Sequence, residues 1–160
     1  MPSPFARHSI SKPITLPFDP DHSIVMRKLT GGEVEAAERA HMLSLVNGKS
    51  ARGWAGRLAR IFAGAEPVTA EAVQALAADP LSGYDRLTVA RAGLVSWTYD
   101  LPTTPHAIPA TDPDAKPVLY DPVADLDDEA LEFIAREVAK KTWPSRFQTV
   151  EQMEADRKNG

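Results

Sequence analysis

The sequence predicts a mainly α-helical fold of about five helices with one small N-terminal β-hairpin, α+β at most. Five of the 14 prolines lie within the first 20 residues and six more between Pro102 and Pro122, so neither region can be continuous helix. The stretches between and after these clusters carry helix caps and apolar residues at helical spacing. Residues 14–18 instead alternate apolar and other side chains with a period of two, which is typical of a strand.

We expect a single domain whose segments differ in proline content and periodicity. Asp19 and Pro20 supply turn chemistry, because aspartate closes local turns and proline presets the backbone angle φ. The β-branched pair Ile24-Val25 then continues a second strand, which completes an antiparallel hairpin. The expected segments are a flexible arm (1–11), the β-hairpin (12–29), a helical core (30–99), a proline-rich loop (100–124) and a C-terminal helix with its tail (125–160).

Local capping and stop signals place the helices. Thr30 and Glu33 have the spacing of a capping box, and Asn47-Gly48 supplies a stop for the helix that follows. Similar signals predict helices over residues 50–64, from Thr69 to Asp79-Pro80, from 82 to about 98, from Asp125 to Trp143-Pro144 and, as a short last helix, after Thr149.

Composition excludes several classes of protein. The 160 residues carry 18 Lys and Arg against 22 Asp and Glu, and this net charge of −4 argues against general coating of nucleic acid. The absence of cysteine excludes disulfide frameworks, thiol nucleophiles and thiolate metal sites. No stretch approaches the ~18 apolar residues of a membrane span, and no apolar run follows Arg7 as in a secretory signal. We therefore expect an intracellular protein with no membrane partner.

Candidate catalytic and metal-binding motifs each have a simpler structural interpretation. The acidic run from Asp125 to Glu129 lacks the glycine of a calcium loop, and helix capping explains it. Gly48-Lys49-Ser50 resembles the end of a phosphate-binding loop whose upstream glycine is missing. His41 falls among apolar helix positions, which predicts a packing role. We expect no enzyme activity, no catalytic residue, no metal site and no cofactor.

One candidate surface for partner binding is basic. Arg52, Arg57 and Arg60 lie on one side of the helix predicted for residues 50–64. Such a face can contact phosphates, a membrane surface or an acidic protein partner. An ordinary solvated helix face is the alternative.

A second candidate surface follows the predicted C-terminal helix. Trp143, Arg146 and Phe147 flank Pro144 and belong to residue types that are enriched in binding hot spots. The alternative is that these side chains fold back on the core as a lid.

Three stretches together resemble a known group of proteins. They are FDPDHSIVMRKLTGGEVE (18–35), DPLSGYDRLTVARAGLVSWTY (79–99) and DLDDEALEFIAREV (125–138). Their order and the chain length are similar to those of tail assembly chaperones of tailed bacteriophages and prophages, over about residues 14–150. The shared motifs are caps and core positions, so the resemblance carries over no catalytic residue.

The resemblance implies a mostly helical protein of the host bacterial cytoplasm. Such a protein binds the tape-measure protein, and possibly the tail tube protein, and keeps the tape measure soluble until tube subunits polymerise around it. The family is often made in short and frameshifted long forms, and the resemblance implies that this chain corresponds to a short form. Two alternatives stay open: a tail completion or head–tail joining subunit of the virion, and a small nucleic-acid-binding regulator that uses the basic helix face. The oligomeric state is not predicted.

Overall fold

The computed structural model describes residues 10–47, 64 and 67–160. Within these residues the fold is α+β, with five α-helices, one short 3-10 helix, a three-stranded sheet and a two-stranded sheet. The prediction of a mainly α-helical fold with a single hairpin is therefore wrong. Residues 50–63 of the helix predicted for residues 50–64 lie outside the described residues, and Gly64 is described as part of a turn.

Along the chain the described elements come in blocks: two strands, three helices, three strands and then the C-terminal helices. The strands are β1 (Ile14–Leu16), β2 (Asp19–Met26), β3 (Leu94–Trp97), β4 (His106–Ile108) and β5 (Val118–Tyr120). The helices are α1 (Gly31–Asn47), α2 (Ala70–Ala78), α3 (Arg86–Gly93), α4 (Asp128–Thr142), the 3-10 helix (Pro144–Phe147) and α5 (Val150–Asn159).

The first correction concerns β3, whose residues the sequence predicts as the end of a helix reaching about residue 98. The expected hairpin of β1 and β2 is present, and β3 adds to it antiparallel, with Val25 opposite Ser96. Helix α3 ends at Gly93, and the backbone N–H of Arg27 donates to the Gly93 carbonyl. The chain leaves the helix here because β2 needs hydrogen-bonding partners along its open edge, and Val95 and Trp97 suit a strand.

The second correction concerns residues 100–124, which the sequence predicts as a proline-rich loop. This region contains the antiparallel pair β4–β5, with Ala107 opposite Leu119. Its prolines lie before, between and after the paired residues, at positions 102, 105, 109, 113, 117 and 122. Because none falls inside the pairing, no ladder hydrogen bond is lost to a missing N–H.

The predicted helix caps are confirmed where the structure describes them. The Thr30 N–H donates to Glu33 Oε2 at 2.8 Å, and the Glu33 N–H donates to Thr30 Oγ1 at 3.3 Å. Asp127 caps α4 by accepting from the Ala130 N–H at 2.8 Å. Thr149 forms a second capping box at the start of α5.

The core lies between the three-stranded sheet and helices α1, α3 and α4. Helices α3 and α4 approach closely, since Gly93 faces the buried Val138. The backbone N–H of Asp85 donates to the Ala37 carbonyl and joins the start of α3 to α1. The largest fully buried side chains are Leu16, Ile24, Met26, Leu81, Val89, Val123, Ile134 and Val138.

One buried arginine ties the loop before α3 to α4. Arg86 is 6% exposed and pairs with Asp79 at 2.5 Å and with Glu132 at 3.1 Å. Its guanidinium also donates to the carbonyls of Leu81 and Tyr84. Because both carboxylates and both carbonyls use the fork geometry of this side chain, the network has a structural role.

Candidate functional site

A cleft opens between the end of β3 and the end of β5. Trp97 is the last residue of β3, Tyr99 lies two residues after it, and Tyr120 is the last residue of β5. The cleft has a volume of about 170 Å³. We call it the aromatic cleft, and its lining residues are Trp97, Tyr99, Leu101, Tyr120, Pro122, Asp125 and Leu126.

Polar contacts hold two of the rings of the aromatic cleft in place. The indole N–H of Trp97 donates to the Leu101 carbonyl at 2.5 Å, and the hydroxyl of Tyr99 donates to Asp19 at 2.8 Å. The Trp97 and Tyr99 rings meet edge to face, with centroids 5.6 Å apart. His22 stacks on Tyr99 at 4.1 Å. These contacts give the cleft a wall that is set before any partner arrives.

Carboxylates surround the tyrosine hydroxyls of the aromatic cleft. Tyr120 donates to Asp125 at 3.0 Å, and this hydrogen bond raises the pKa of Tyr120. Burial, with the hydrogen bond to Asp19 and the charges of Asp19 and Asp127, raises the pKa of Tyr99 to about 12. Each of the two hydroxyls therefore faces one carboxylate, Asp19 for Tyr99 and Asp125 for Tyr120.

A second exposed feature lies on the last two turns of α1. Met42 is 61% exposed, Leu43 56% and Val46 81%. At 100° per residue these three positions share an arc of about 100° on the helix surface, and we call them the α1 apolar patch. Ala37 and His41 lie on the buried side of the same helix.

The predicted packing role of His41 agrees with its burial, since it is 4% exposed. Burial lowers the pKa of His41, and the positive charge of Arg86 lowers it further, against an opposing effect of Asp85. His41 therefore favours the neutral form inside the core.

The C-terminal candidates Trp143, Arg146 and Phe147 lie against the core. The Trp143 ring packs on Tyr84 with centroids 4.6 Å apart, and the guanidinium of Arg146 stands 4.6 Å from the Trp143 ring centroid. Trp143 and Phe147 are half-buried against the core, and Arg146 is exposed. This arrangement is the lid that the sequence offers as the alternative to a free hot spot.

The basic candidates Arg52, Arg57 and Arg60 lie outside the described residues. Conversely, sequence reasoning missed the aromatic cleft. The sequence places Trp97 near the end of a predicted helix, Tyr99 just after that helix and Tyr120 in a loop. The available signal was the alternation of Trp97 and Tyr99, which is the spacing of side chains on one face of a strand.

In residues 10–47 and 67–160, no group of three or more histidine or carboxylate side chains is placed to hold a metal ion. Over the same part of the chain, none of the helices combines the length and the apolar composition needed to cross a bilayer. Comparisons of the whole chain with models of known protein families, with curated protein sequences and with solved protein structures find no match.

Proposed function

We propose that the chain is a tail assembly chaperone of a tailed bacteriophage or prophage, a non-catalytic protein of the host bacterial cytoplasm. In this role it binds the tape-measure protein and keeps it soluble until tail tube subunits polymerise around it. The observation that carries the proposal is the α1 apolar patch. It adds to the resemblance that residues 18–35, 79–99 and 125–138 bear to this family.

The α1 apolar patch is suited to a helical partner. Residues at i, i+1 and i+4 form a short apolar stripe, which packs against a matching stripe on another helix. A tape-measure protein is a long amphipathic helical polymer, so its own apolar stripe is an aggregation hazard before assembly. Covering that stripe with a helix face is the simplest way to keep such a polymer soluble.

The size of the α1 apolar patch agrees with reversible binding. Full burial of a Met, Leu or Val side chain contributes about 1.5 to 3 kcal/mol each. Met42, Leu43 and Val46 are already partly covered, so the patch supplies roughly 3 to 6 kcal/mol before the cost of association. Such a contact is strong enough to act at several sites along a polymer and weak enough for tube subunits to displace it.

Co-expression with the tape-measure gene of the same locus tests the proposal. We expect the tape-measure protein to become soluble and to co-purify with this chain. Val46→Asp places a charge in the α1 apolar patch and should reduce the co-purified protein by about tenfold or more. Val150→Asp, at the start of α5 and 68% exposed, is the matched control and should leave co-purification unchanged. A tape-measure protein that stays insoluble with the wild-type chain would refute the proposal.

One observation favours a structural subunit of the virion as a second candidate. The β4–β5 pair carries three apolar side chains that are largely exposed, Ile108, Val118 and Leu119. A two-stranded sheet with exposed apolar side chains can extend by strand addition between copies. Mass spectrometry of purified tails separates the two functions, because a virion subunit is present at a fixed copy number and a chaperone is absent.

A further inference from the structure

We propose that the aromatic cleft binds one lysine or arginine side chain of a partner protein. The proposal stands on residues outside the α1 apolar patch, so it can fail while the proposed function holds. Four features of the cleft carry it: its size, its rings, its carboxylates and the lack of a basic residue among the described residues that line it.

The size of the aromatic cleft selects a side chain over a larger element. Its volume is about 170 Å³. An α-helix with its side chains is about 10 Å across and does not enter such a space. A single long side chain from an extended segment does.

The rings of the aromatic cleft favour a cation. Trp97, Tyr99 and Tyr120 all contribute to the lining, and tryptophan and tyrosine faces attract ammonium and guanidinium groups. Both tyrosine hydroxyls donate to carboxylates, Tyr99 to Asp19 and Tyr120 to Asp125. A phenol that donates to a carboxylate is richer in electrons, which strengthens the attraction of its ring for a cation.

The charges around the aromatic cleft also favour the binding of a cation. Of the described residues that line it, Asp125 is charged and none is basic. The nearby Arg91 pairs with Asp121, outside this lining set. Because Asp125 is exposed, it can pair with an incoming cation without the large desolvation cost of a buried ion pair. The methylene stem of a lysine or arginine would lie against Leu101, Pro122 and Leu126.

An uncharged proline or aliphatic side chain is the competing occupant. Proline-rich segments also dock in aromatic grooves. Such an occupant uses the rings of the cleft and leaves the negative charge of Asp125 without a partner. The two occupants therefore differ in how their binding depends on that charge.

Nuclear magnetic resonance with matched peptides tests the proposal on the full chain. The three tryptophans give three indole N–H signals, and the variants Trp54→Phe and Trp143→Phe assign the Trp97 signal by elimination. The probe is a blocked nine-residue peptide of glycine, serine, proline and leucine with one central lysine. The matched peptides carry norleucine or glutamate at that position.

We expect the lysine peptide to shift the Trp97 indole signal saturably. Its affinity should exceed that of the norleucine peptide by about threefold at low salt, and the glutamate peptide should bind most weakly. Equal affinity for lysine and norleucine would assign the cleft to an uncharged side chain and overturn the proposal. The absence of a saturable shift would overturn it as well.

A pair of charge-removing variants isolates the carboxylate. Asp125→Asn keeps an acceptor for the Tyr120 hydroxyl and removes one negative charge, so the preference for lysine should fall by about threefold, to near equality. Asp114→Asn removes the same charge from the exposed connection between β4 and β5, outside the cleft lining, and should leave the preference unchanged. An equal effect of both variants would show general charge attraction and refute a specific site.

Discussion

Replacement of Gly93 by alanine should destabilise the protein, although alanine is the better helix former. A Cβ atom at Gly93 would lie 2.3 Å and 2.5 Å from the two methyl carbons of Val138 and 2.9 Å from its Cβ. Val138 is fully buried on α4. Rotation of the valine side chain cannot relieve the contact, because its Cβ is itself too close. Helices α3 and α4 must therefore move apart.

The magnitude follows from two opposing effects. Alanine is favoured over glycine by about 1 kcal/mol in a helix interior, and by less at position 93 because it is the last residue of α3. Overpacking of a core costs about 1 to 3 kcal/mol or more, and three contacts below 3 Å place Gly93→Ala at the upper end. We expect a net loss of about 2 kcal/mol in the free energy of unfolding. Val138→Ala alone should cost a similar ~2 kcal/mol by leaving a cavity.

The double variant distinguishes this steric account from any other cause. If the alanine methyl at position 93 occupies space vacated by Val138, the loss of stability in the double variant should be smaller than the sum of the two single losses by at least about 1 kcal/mol. Urea denaturation followed by circular dichroism measures all three variants, and a constant m-value shows that the denatured state is unchanged. Gly32→Ala is the control, because no atom lies within 4 Å of its added Cβ. Strict additivity, or a Gly93→Ala variant as stable as the wild type, would refute the reasoning.

Three further predictions concern polar contacts. The pKa of Glu33 is lowered to about 2, first by its hydrogen bond to Arg27. The ionised carboxylate therefore adds about 1 to 3 kcal/mol to the free energy of unfolding above pH ~4.5, and this contribution is lost as the pH falls through 2. The stabilities of the wild type and Glu33→Gln, measured by unfolding at each pH, should therefore converge in acid. Arg86→Lys keeps the positive charge but loses the planar guanidinium that binds two carboxylates at once. The free energy of unfolding, measured by urea denaturation, should fall by about 3 kcal/mol. Thr142→Val leaves the buried N–H of Leu29 without its acceptor; it should lower the free energy of unfolding by about 1 to 2 kcal/mol, and Thr142→Ser should restore it.

Local signals predicted local structure well. The capping box of Thr30 and Glu33 involves residues three positions apart, so its hydrogen bonds can be inferred from spacing alone. The same holds for Asp127 at the start of α4 and for Thr149 at the start of α5. Each of these contacts depends on no other part of the chain.

The missed strands depend on contacts that spacing does not encode. Strand β3 exists because Trp97 faces Ile24 across 73 residues of sequence, a pairing that overrides a weak helical periodicity after Gly93. Proline density hid β4 and β5 for a different reason. Proline excludes a strand only where a ladder hydrogen bond needs the backbone N–H that proline lacks. The paired residues His106–Ile108 and Val118–Tyr120 contain no proline.

The candidate sites also divide into features that local sequence predicts and features that depend on contacts between distant residues. Residue type alone selected Trp143, Arg146 and Phe147, because aromatic and arginine side chains stand out in a tail. The structure packs Trp143 on Tyr84. The aromatic cleft escaped notice because Trp97 and Tyr120 come from segments more than 20 residues apart, and only the fold brings them together.

The resemblance to tail assembly chaperones covers residues that build the core. Its second and third stretches meet where α3 packs on α4, and its first and second stretches meet where β2 pairs with β3. The α1 apolar patch lies outside all three stretches, and Leu101, Tyr120 and Pro122 of the aromatic cleft lie between the second and the third. A protein with this core can therefore bind another partner by changing α1 after residue 41 or the segment 100–124. Val46 and Asp125 are both exposed, although Asp125 belongs to the third stretch. Val46→Asp and Asp125→Asn should therefore impair binding at unchanged stability, since exposed substitutions away from the core shift the free energy of unfolding by only about 0.5 kcal/mol.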